Sequence, residues 1–308
     1  MLDYKLVQAL AAVVDEGGFE RAARRLNLTQ SAVSQRIRQL EEYLGQPALT
    51  RTQPPAPTRP GRLLLRHARR VGLLEAELAR GLGLDAGPGA ETQAWRTVAL
   101  AVNADTLATW FVEAVLPVVT RQRLALDLRV DDQERTHDML RSGDVAGCIS
   151  TRGAPMQGCR AVALGRMRYH CACAPAFAAR WFPDGFGLDA ARQAPAVVFN
   201  RRDTVHDRFL EATLGESPRE APRHHVPDSE RFVDFVAGAA GYGLVPHLQA
   251  AALLAEGRLL DLSPSAPMDV PLYWHCWNIP SALLAALTKA LRQAAQNTLL
   301  PPAETTGE

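Results

Sequence analysis

At 308 residues and 47% hydrophobic side chains, the chain has material for two or three packed domains, which excludes a disordered polymer. The net charge is only +1, yet eleven arginines face two acids, Glu41 and Glu42, between Arg21 and Arg70. That segment therefore carries about +9 and the remainder about −8, so a polyanion partner is expected for the first part alone. No apolar run reaches the roughly 18 residues of a membrane span. The start, MLDYKLVQAL, lacks the layout of a secretory leader, and five cysteines without framework spacing point to a reducing cytoplasm.

In chain order, Leu6, Leu10 and Val13 fall at i, i+4 and i+7 and predict a first helix, ended by Gly17 and Gly18. A second runs from Glu20 to Leu26, with Ala22 and Leu26 on one side, and Asn27 to Thr29 breaks it. Thr29 can cap a third helix, its hydroxyl accepting an otherwise unpaired N–H of the first turn. There Val33, Ile37, Leu40 and Leu44 form one apolar stripe, and Gln30, Ser31, Ser34, Gln35, Arg36 and Arg38 occupy the opposite face. Such a face suits a DNA major groove, where amides and hydroxyls reach base edges and arginines reach guanine or phosphate. A surface helix that merely happens to be polar outside is the competing interpretation.

After Leu44, Ala48 to Thr52 reads as a short strand followed by prolines, a wing with Arg51 at its edge for a phosphate or minor-groove contact. An ordinary proline-rich loop is the alternative. Thr58 is a candidate N-cap, with Pro60 in the first turn of a helix of about 24 residues, roughly 36 Å long. Leu64, Val71, Leu74, Leu78 and Leu82 run along it at near-heptad spacing. That edge would pack either on the same helix of a second subunit or on the body of its own chain.

Gly81 to Glu91 is a hinge by composition. Strand-length patterns then appear at Thr97–Val102, Leu124–Val130, Val145–Ser150, Tyr169–Ala174, Ala196–Phe199, Gly243–Pro246 and Leu272–His275. Helical stretches alternate with them, at Thr106–Val119, Glu134–Arg141, Val205–Leu214, Ser229–Ala239 and Leu248–Ala255, with a last one at Ser281–Leu299. Alternation of this kind predicts parallel α/β sheets, enough for two small ones with a ligand cleft between them.

The stretch FERAARRLNLTQSAVSQRIRQLEEYLGQPALTR, with the helix start at Thr58 to Gly61, resembles the LysR-type transcriptional regulators. AVNADTLATWF, LRVDDQERT, VVFNRRD and VPLYWHCW further resemble the branch that answers to lysine and arginine and governs export of basic amino acids. The resemblance implies an α/β fold with an N-terminal winged helix-turn-helix, a long linker helix and a two-lobed, periplasmic-binding-protein-like effector domain. The expected boundaries are 1–58 for the winged head, 59–84 for the linker and dimerisation helix, 85–95 for the hinge, 96–300 for the effector domain and 301–308 for a tail. Lobe I takes about 96–165 and 268–300, and lobe II about 166–267. Gln30, Ser31, Ser34 and Gln35 would face bases, while Arg36, Arg38, Arg51 and Thr52 would hold phosphates or the minor groove. The implied partners are double-stranded promoter DNA, a small effector, and further copies of the chain as a dimer or tetramer. RNA polymerase is a further partner the resemblance allows, and no membrane is involved.

For the effector, Asn103, Asp105 and Thr106 lie where a strand gives way to a helix N-terminus, a place for an amino-acid carboxylate. Asp105 or the cleft's other acids could accept the α-ammonium, with helix capping and no ligand as the alternative for Asp105. Asp131 and Asp132 follow the second strand and suit a cationic side chain, with a solvated strand end or a dimer contact as the alternative. Asn200, Asp203 and Ser229 are second-lobe candidates by position in the implied fold. Trp110 reads as core rather than as a wall over the ligand.

Cys171 and Cys173 alternate within a strand, unlike a zinc knuckle, so core packing is expected there, and no metal or cofactor. The chain has no G-x-S-x-G elbow, no phosphate-binding glycine loop and no H-E-x-x-H, so no enzyme activity is expected.

Overall fold

A computed structural model describes residues 2–84, 95–130 and 133–302. The hinge up to residue 94, Asp131, Asp132 and the tail from 303 lie outside the described residues.

The head begins with α1 (Tyr4–Asp15), α2 (Phe19–Leu26) and α3 (Gln30–Leu44). Each end has a local cause. The Asp3 carboxylate accepts from the Lys5 N–H at the start of α1. Asn27 stops α2 in the left-handed conformation, with φ 53°. The Thr29 hydroxyl accepts from the Ala32 N–H at 3.2 Å and starts α3, and Gly45 at φ 67° ends it. Val33, Ile37 and Leu40 are buried against Val7, Leu10 and Val13 of α1. Burial of each such aliphatic side chain contributes roughly 1.5–3 kcal/mol, which is what holds α3 in place.

The wing departs from the strand expected at Ala48 to Thr52. One antiparallel bridge, Leu49 with Pro57, is flanked by the Thr50 N–H on the Ala56 carbonyl and the Thr58 N–H on the Ala48 carbonyl. Pro54, Pro55 and Pro57 lack the N–H groups a longer ladder needs, so the wing is a turn pinned at its base.

The Thr58 hydroxyl caps α4 (Arg59–Gly81), 23 residues long. Of the two packings expected for this helix, the one on the body of its own chain is present. One side docks on its own chain, with Leu65 in the core of the head and Leu73 against the core of the effector domain. The Glu77 carboxylate accepts from Ser281 and from the Ala282 and Leu283 N–H groups. Leu64, Val71 and Leu74 are only half-buried, and Leu78 and Leu82 are each 62% exposed.

The effector domain starts with β1 (Arg96–Val102) and α5 (Ala104–Thr106). A π-helical turn, Leu107–Phe111, carries α5 into α6 (Val112–Gln122). Then come β2 (Leu124–Val130), α7 (Gln133–Ser142), β3 (Gly147–Ser150) and β4 (Cys159–Cys173). The second half adds α8 (Pro175–Trp181), α9 (Leu188–Gln193), β5 (Ala196–Val198), α10 (Val205–Leu214) and β6 (Arg223–His225). It continues with α11 (Ser229–Ala237), β7 (Gly243–Pro246), α12 (His247–Ala255) and β8 (Leu260–Asp261). The chain returns through β9 (Met268–Trp277) to α13 (Ala282–Thr298).

The pairing order is β2-β1-β3-β9-β4-β7, with β8 also on β4 and a separate β5-β6 pair. It is mixed rather than purely parallel, because β9 runs antiparallel to both β3 and β4. β4 is a 15-residue strand, far longer than the sequence pattern at Tyr169 suggests. Its first part pairs with β9, and Tyr169 to Ala172 pair with β7. β4 and β9 thus connect the two halves, and the cleft opens where β1 ends beside Tyr169.

Candidate functional site

On the head, Gln30, Ser31, Gln35 and Arg38 are exposed, and Ser34 and Arg36 are at least partly exposed. Gln30, Ser34, Arg38, Arg51 and Thr52 line one groove of about 1410 Å³ between α2, α3 and the wing. Ser31, Gln35 and Arg36 lie outside it, farther round the helix. Two hydroxyls are already engaged. Ser31 pairs with Thr29 at 3.0 Å, and Thr52 donates to the Pro54 carbonyl at 3.0 Å. Thr52 thereby holds the wing turn that displays Arg51. Arg21 and Arg24 of α2 line the same groove, as does Gln53. The sequence reading missed them, although the dense arginine count was their signal.

The second site is a cavity of about 500 Å³ between the two halves of the effector domain. Asn103, Asp105, Asn200, Asp203 and Ser229, far apart in sequence, all line it. Thr106 does not. It is fully buried behind the wall, its hydroxyl without a partner among the described residues. Trp110 is 3% exposed and belongs to the core, as expected. Asp131 and Asp132 lie outside the described residues. Tyr169, Asp138, Thr151, Arg202 and Arg208 also line the cavity and were not singled out by sequence.

Local chemistry sets the wall. The Asn103 amide oxygen accepts from the Thr106 N–H at 2.9 Å and so starts α5. The Asn200 amide oxygen accepts from the Arg202 and Asp203 N–H groups, at 2.7 and 3.0 Å. Asp203 accepts from the N–H groups of Val205 and Phe199. α5, α10, α11 and α12 all begin at this wall, so several helix N-termini bring positive potential to one space.

Asp105 is the polar centre. The Tyr169 hydroxyl donates to Oδ2 and the Ser229 hydroxyl to Oδ1, both at 2.7 Å. Burial raises its pKa above the ordinary carboxylate value, against the lowering effect of these two hydrogen bonds. Asp203 is raised in the same way, by burial first, with its backbone hydrogen bonds opposing and the charge of Asp105 adding to the rise. Among the described residues no arginine or lysine pairs with either acid. Two desolvated carboxylates that repel one another across a cavity make a place for a cation. His206, also in the wall, is lowered to about 4 by burial and is therefore neutral near pH 7.

Cys171 and Cys173 pack in the core as expected, while Cys159 is half-buried. Cys148, Cys171, Cys173 and Cys276 are buried, and burial pushes the Cys173 thiol up to about 12.

Residues 4–62 match the bacterial regulatory helix-turn-helix protein of the lysR family, and residues 97–296 match the LysR substrate binding domain. The chain belongs to the LysR family of bacterial regulators. It is 47% identical over 293 residues to the HTH-type transcriptional regulator ArgP of Pseudomonas aeruginosa, covering 94% of this chain and 95% of that one. The crystal structure of ArgP from Mycobacterium tuberculosis superposes with a TM-score of 0.87 at 37% identity, covering 98% and 100% of the two chains. Full-length LysG from Corynebacterium glutamicum with bound effector Arg gives 0.79 at 33% identity, over 97% and 100%. The chain is accordingly a DNA-binding transcriptional regulator with a helix-turn-helix head and an effector domain. Among the described residues no helix is long and apolar enough to cross a membrane.

Proposed function

We propose that this regulator senses a basic amino acid, arginine or lysine, in the cleft of its effector domain and adjusts promoter binding in response, governing export of basic amino acids. It works in the cytoplasm and carries out no catalysis of its own. The observation that carries this is the pair of acids Asp105 and Asp203, half-buried in the wall of a cavity of about 500 Å³, with no arginine or lysine paired to either among the described residues, although Arg202 and Arg208 line the same cavity. Cavities of some 300–1,000 Å³ suit small metabolites. The ligand's carboxylate goes to the helix N-termini at Asn103 and Thr204, and its two cationic groups go to the acids, Asp105 first. Asp131 and Asp132, which lie outside the described residues, are kept in this proposal as partners for the cationic side chain. The arginine bound to the related LysG supports this choice of ligand.

In the same proposal residues 1–58 read DNA, 59–84 pair two subunits, and 96–300 sense the ligand. Gln30, Ser34 and Gln35 face bases, with Ser31 at the first turn beside them, and Arg36, Arg38 and Arg51 hold phosphates. The exposed Leu78 and Leu82 support a dimer through α4, because an apolar helix edge in water is stabilised by a matching partner. Calorimetry with arginine and with lysine tests the ligand, and a gel shift on the adjacent divergent promoter tests the target. No heat from either amino acid at millimolar concentration would remove the assignment.

A further inference from the structure

Arg69 lies midway along α4, which joins head to sensor, and its side chain is 21% exposed. Its guanidinium holds one carboxylate from each side. Nη2 donates to Oδ1 of Asp15, the last residue of α1, at 2.8 Å. Nη1 donates to Asp144 Oδ1 at 2.7 Å and to the Gly143 carbonyl at 2.9 Å. Asp15 also pairs with Arg25 of α2 at 3.4 Å, and Asp144 accepts from the Ser142 hydroxyl at 2.5 Å. Isolated surface ion pairs contribute little. A planar fork that serves two carboxylates and a carbonyl is different, since the point charge of a lysine does not reproduce that geometry.

The sensor side of this clamp is the end of α7. That helix has ten residues, a rod of about 15 Å. Asp138 on α7 lines the cleft. Thr136 and His137 are buried beneath it, the Thr136 hydroxyl donating to the Ile149 carbonyl of β3 at 3.2 Å. Past its last turn, Gly143 at φ 82° brings the backbone hard against α4. A Cβ added there would sit 2.7 Å from both Cα and Cβ of Arg66. Arg66 donates to the Arg141 carbonyl at 3.3 Å. One helix therefore has the cleft at its middle and the linker at its end.

We propose that Arg69 is a positioning residue that ties the state of the cleft to the orientation of the winged head, with α7 as the connecting rod. The proposal rests on the cleft being the effector site. A displacement of α7 by about 1 Å takes Asp144 out of hydrogen-bond range of the guanidinium, and Asp15 then holds it alone.

The test uses the full-length chain and Arg69→Lys, which keeps the charge and loses the fork. Anisotropy on the divergent promoter, with and without arginine, is measured alongside calorimetry of arginine. Arg69→Lys should bind arginine within about twofold of the wild type while the ratio of DNA affinities with and without arginine collapses toward one. Asp144→Asn should do the same, and the double variant should be no worse than either alone, since both substitutions break the same ion pair. An unchanged ratio in both single variants overturns the clamp. So does an equal loss of DNA affinity in both ligand states, the mark of a purely structural role. If the wild type itself gives no arginine response, the effector reading fails on its own, and hydrogen exchange without ligand decides the clamp. Arg69→Lys should then speed exchange about tenfold both at the end of α1 and at residues 142–144, and unchanged protection at either place overturns the proposal.

Discussion

Under the proposed function the head and the cleft both meet charged partners, but they prepare for them in opposite ways. On α3 the reading side chains stand in water, and only the stripe beneath them, Val33, Ile37 and Leu40, is committed to packing. The charges on this face of the head therefore keep their hydration. In the cleft, Asp105 and Asp203 are desolvated before any ligand arrives, and burial raises both pKa values. That half of the molecule holds carboxylates disfavoured in their charged form, which the proposed cation would relieve. The proposed contrast is of a polyanion met by exposed charge, which salt screens, and a small cation met by half-buried charge, which salt screens less.

The largest test of this contrast is Asp105→Asn. Removing a charged hydrogen-bond partner costs about 1.5–3 kcal/mol, so arginine affinity by calorimetry should fall more than about tenfold. The same variant should raise the melting temperature of the ligand-free protein, because a desolvated charge has gone. A variant that loses ligand and stability together would break the comparison.

The pH dependence has a defined sign. A carboxylate whose folded pKa is raised contributes stability below the ordinary value near 3.8, and that contribution is lost as pH rises through the raised folded value. Asp144, Asp207 and Asp269, lowered by hydrogen bonds and by their arginine partners, act in the opposite sense. The measurement is therefore a difference. The melting temperature of Asp105→Asn minus that of the wild type should be smallest at acid pH and grow toward neutrality. Arginine affinity of the wild type should weaken as pH falls through the raised values.

On the head the effects are smaller and separable. Ser34→Ala should cost about 1–3 kcal/mol on the specific promoter and little on random DNA. Arg51→Ala should weaken both equally and make the slope of log affinity against log salt shallower by about 1, read from anisotropy at several salt concentrations. Equal losses on both DNAs for Ser34→Ala would contradict its role. The smallest effect sharpens the comparison at its base. Thr29→Ala removes the cap of α3 and should lower head stability by about 1 kcal/mol, measured by thermal unfolding, with arginine affinity untouched.

Legibility in the sequence follows the same division. The stripe and the cap of α3 were readable because a helix places its own residues by local spacing. The helix start after Asn103 was readable for the same reason, though its capping role came only from the structure. Tyr169 was not. Its hydroxyl reaches Asp105 only because β4 pairs with β9 and then β7, and no local pattern records that crossing. Asp138 was missed likewise, since it lines the cleft by the placement of α7. Thr106 shows the limit from the other side. The strand-to-helix position suggested a ligand contact, but the helix turns its side chain inward. The wing was overread because β-branched and apolar residues suggested a strand, and the missing N–H groups of the prolines limited it to one bridge.

The pairing of β4 with β9 carries a mechanical consequence. Two long antiparallel strands, bonded to each other along their length, form a ribbon, and a ribbon twists far more readily than it slides. Its regularity lapses between Ala163 and Gly165, where the register shifts. There Gly165, at φ 149°, lies so close to the carboxyl-terminal segment that an added Cβ would fall 2.5 Å from the Leu300 carbonyl oxygen. The Arg166 N–H donates to that same oxygen. The one lapse in the ribbon's register thus lies where the segment after the last helix is bonded across it.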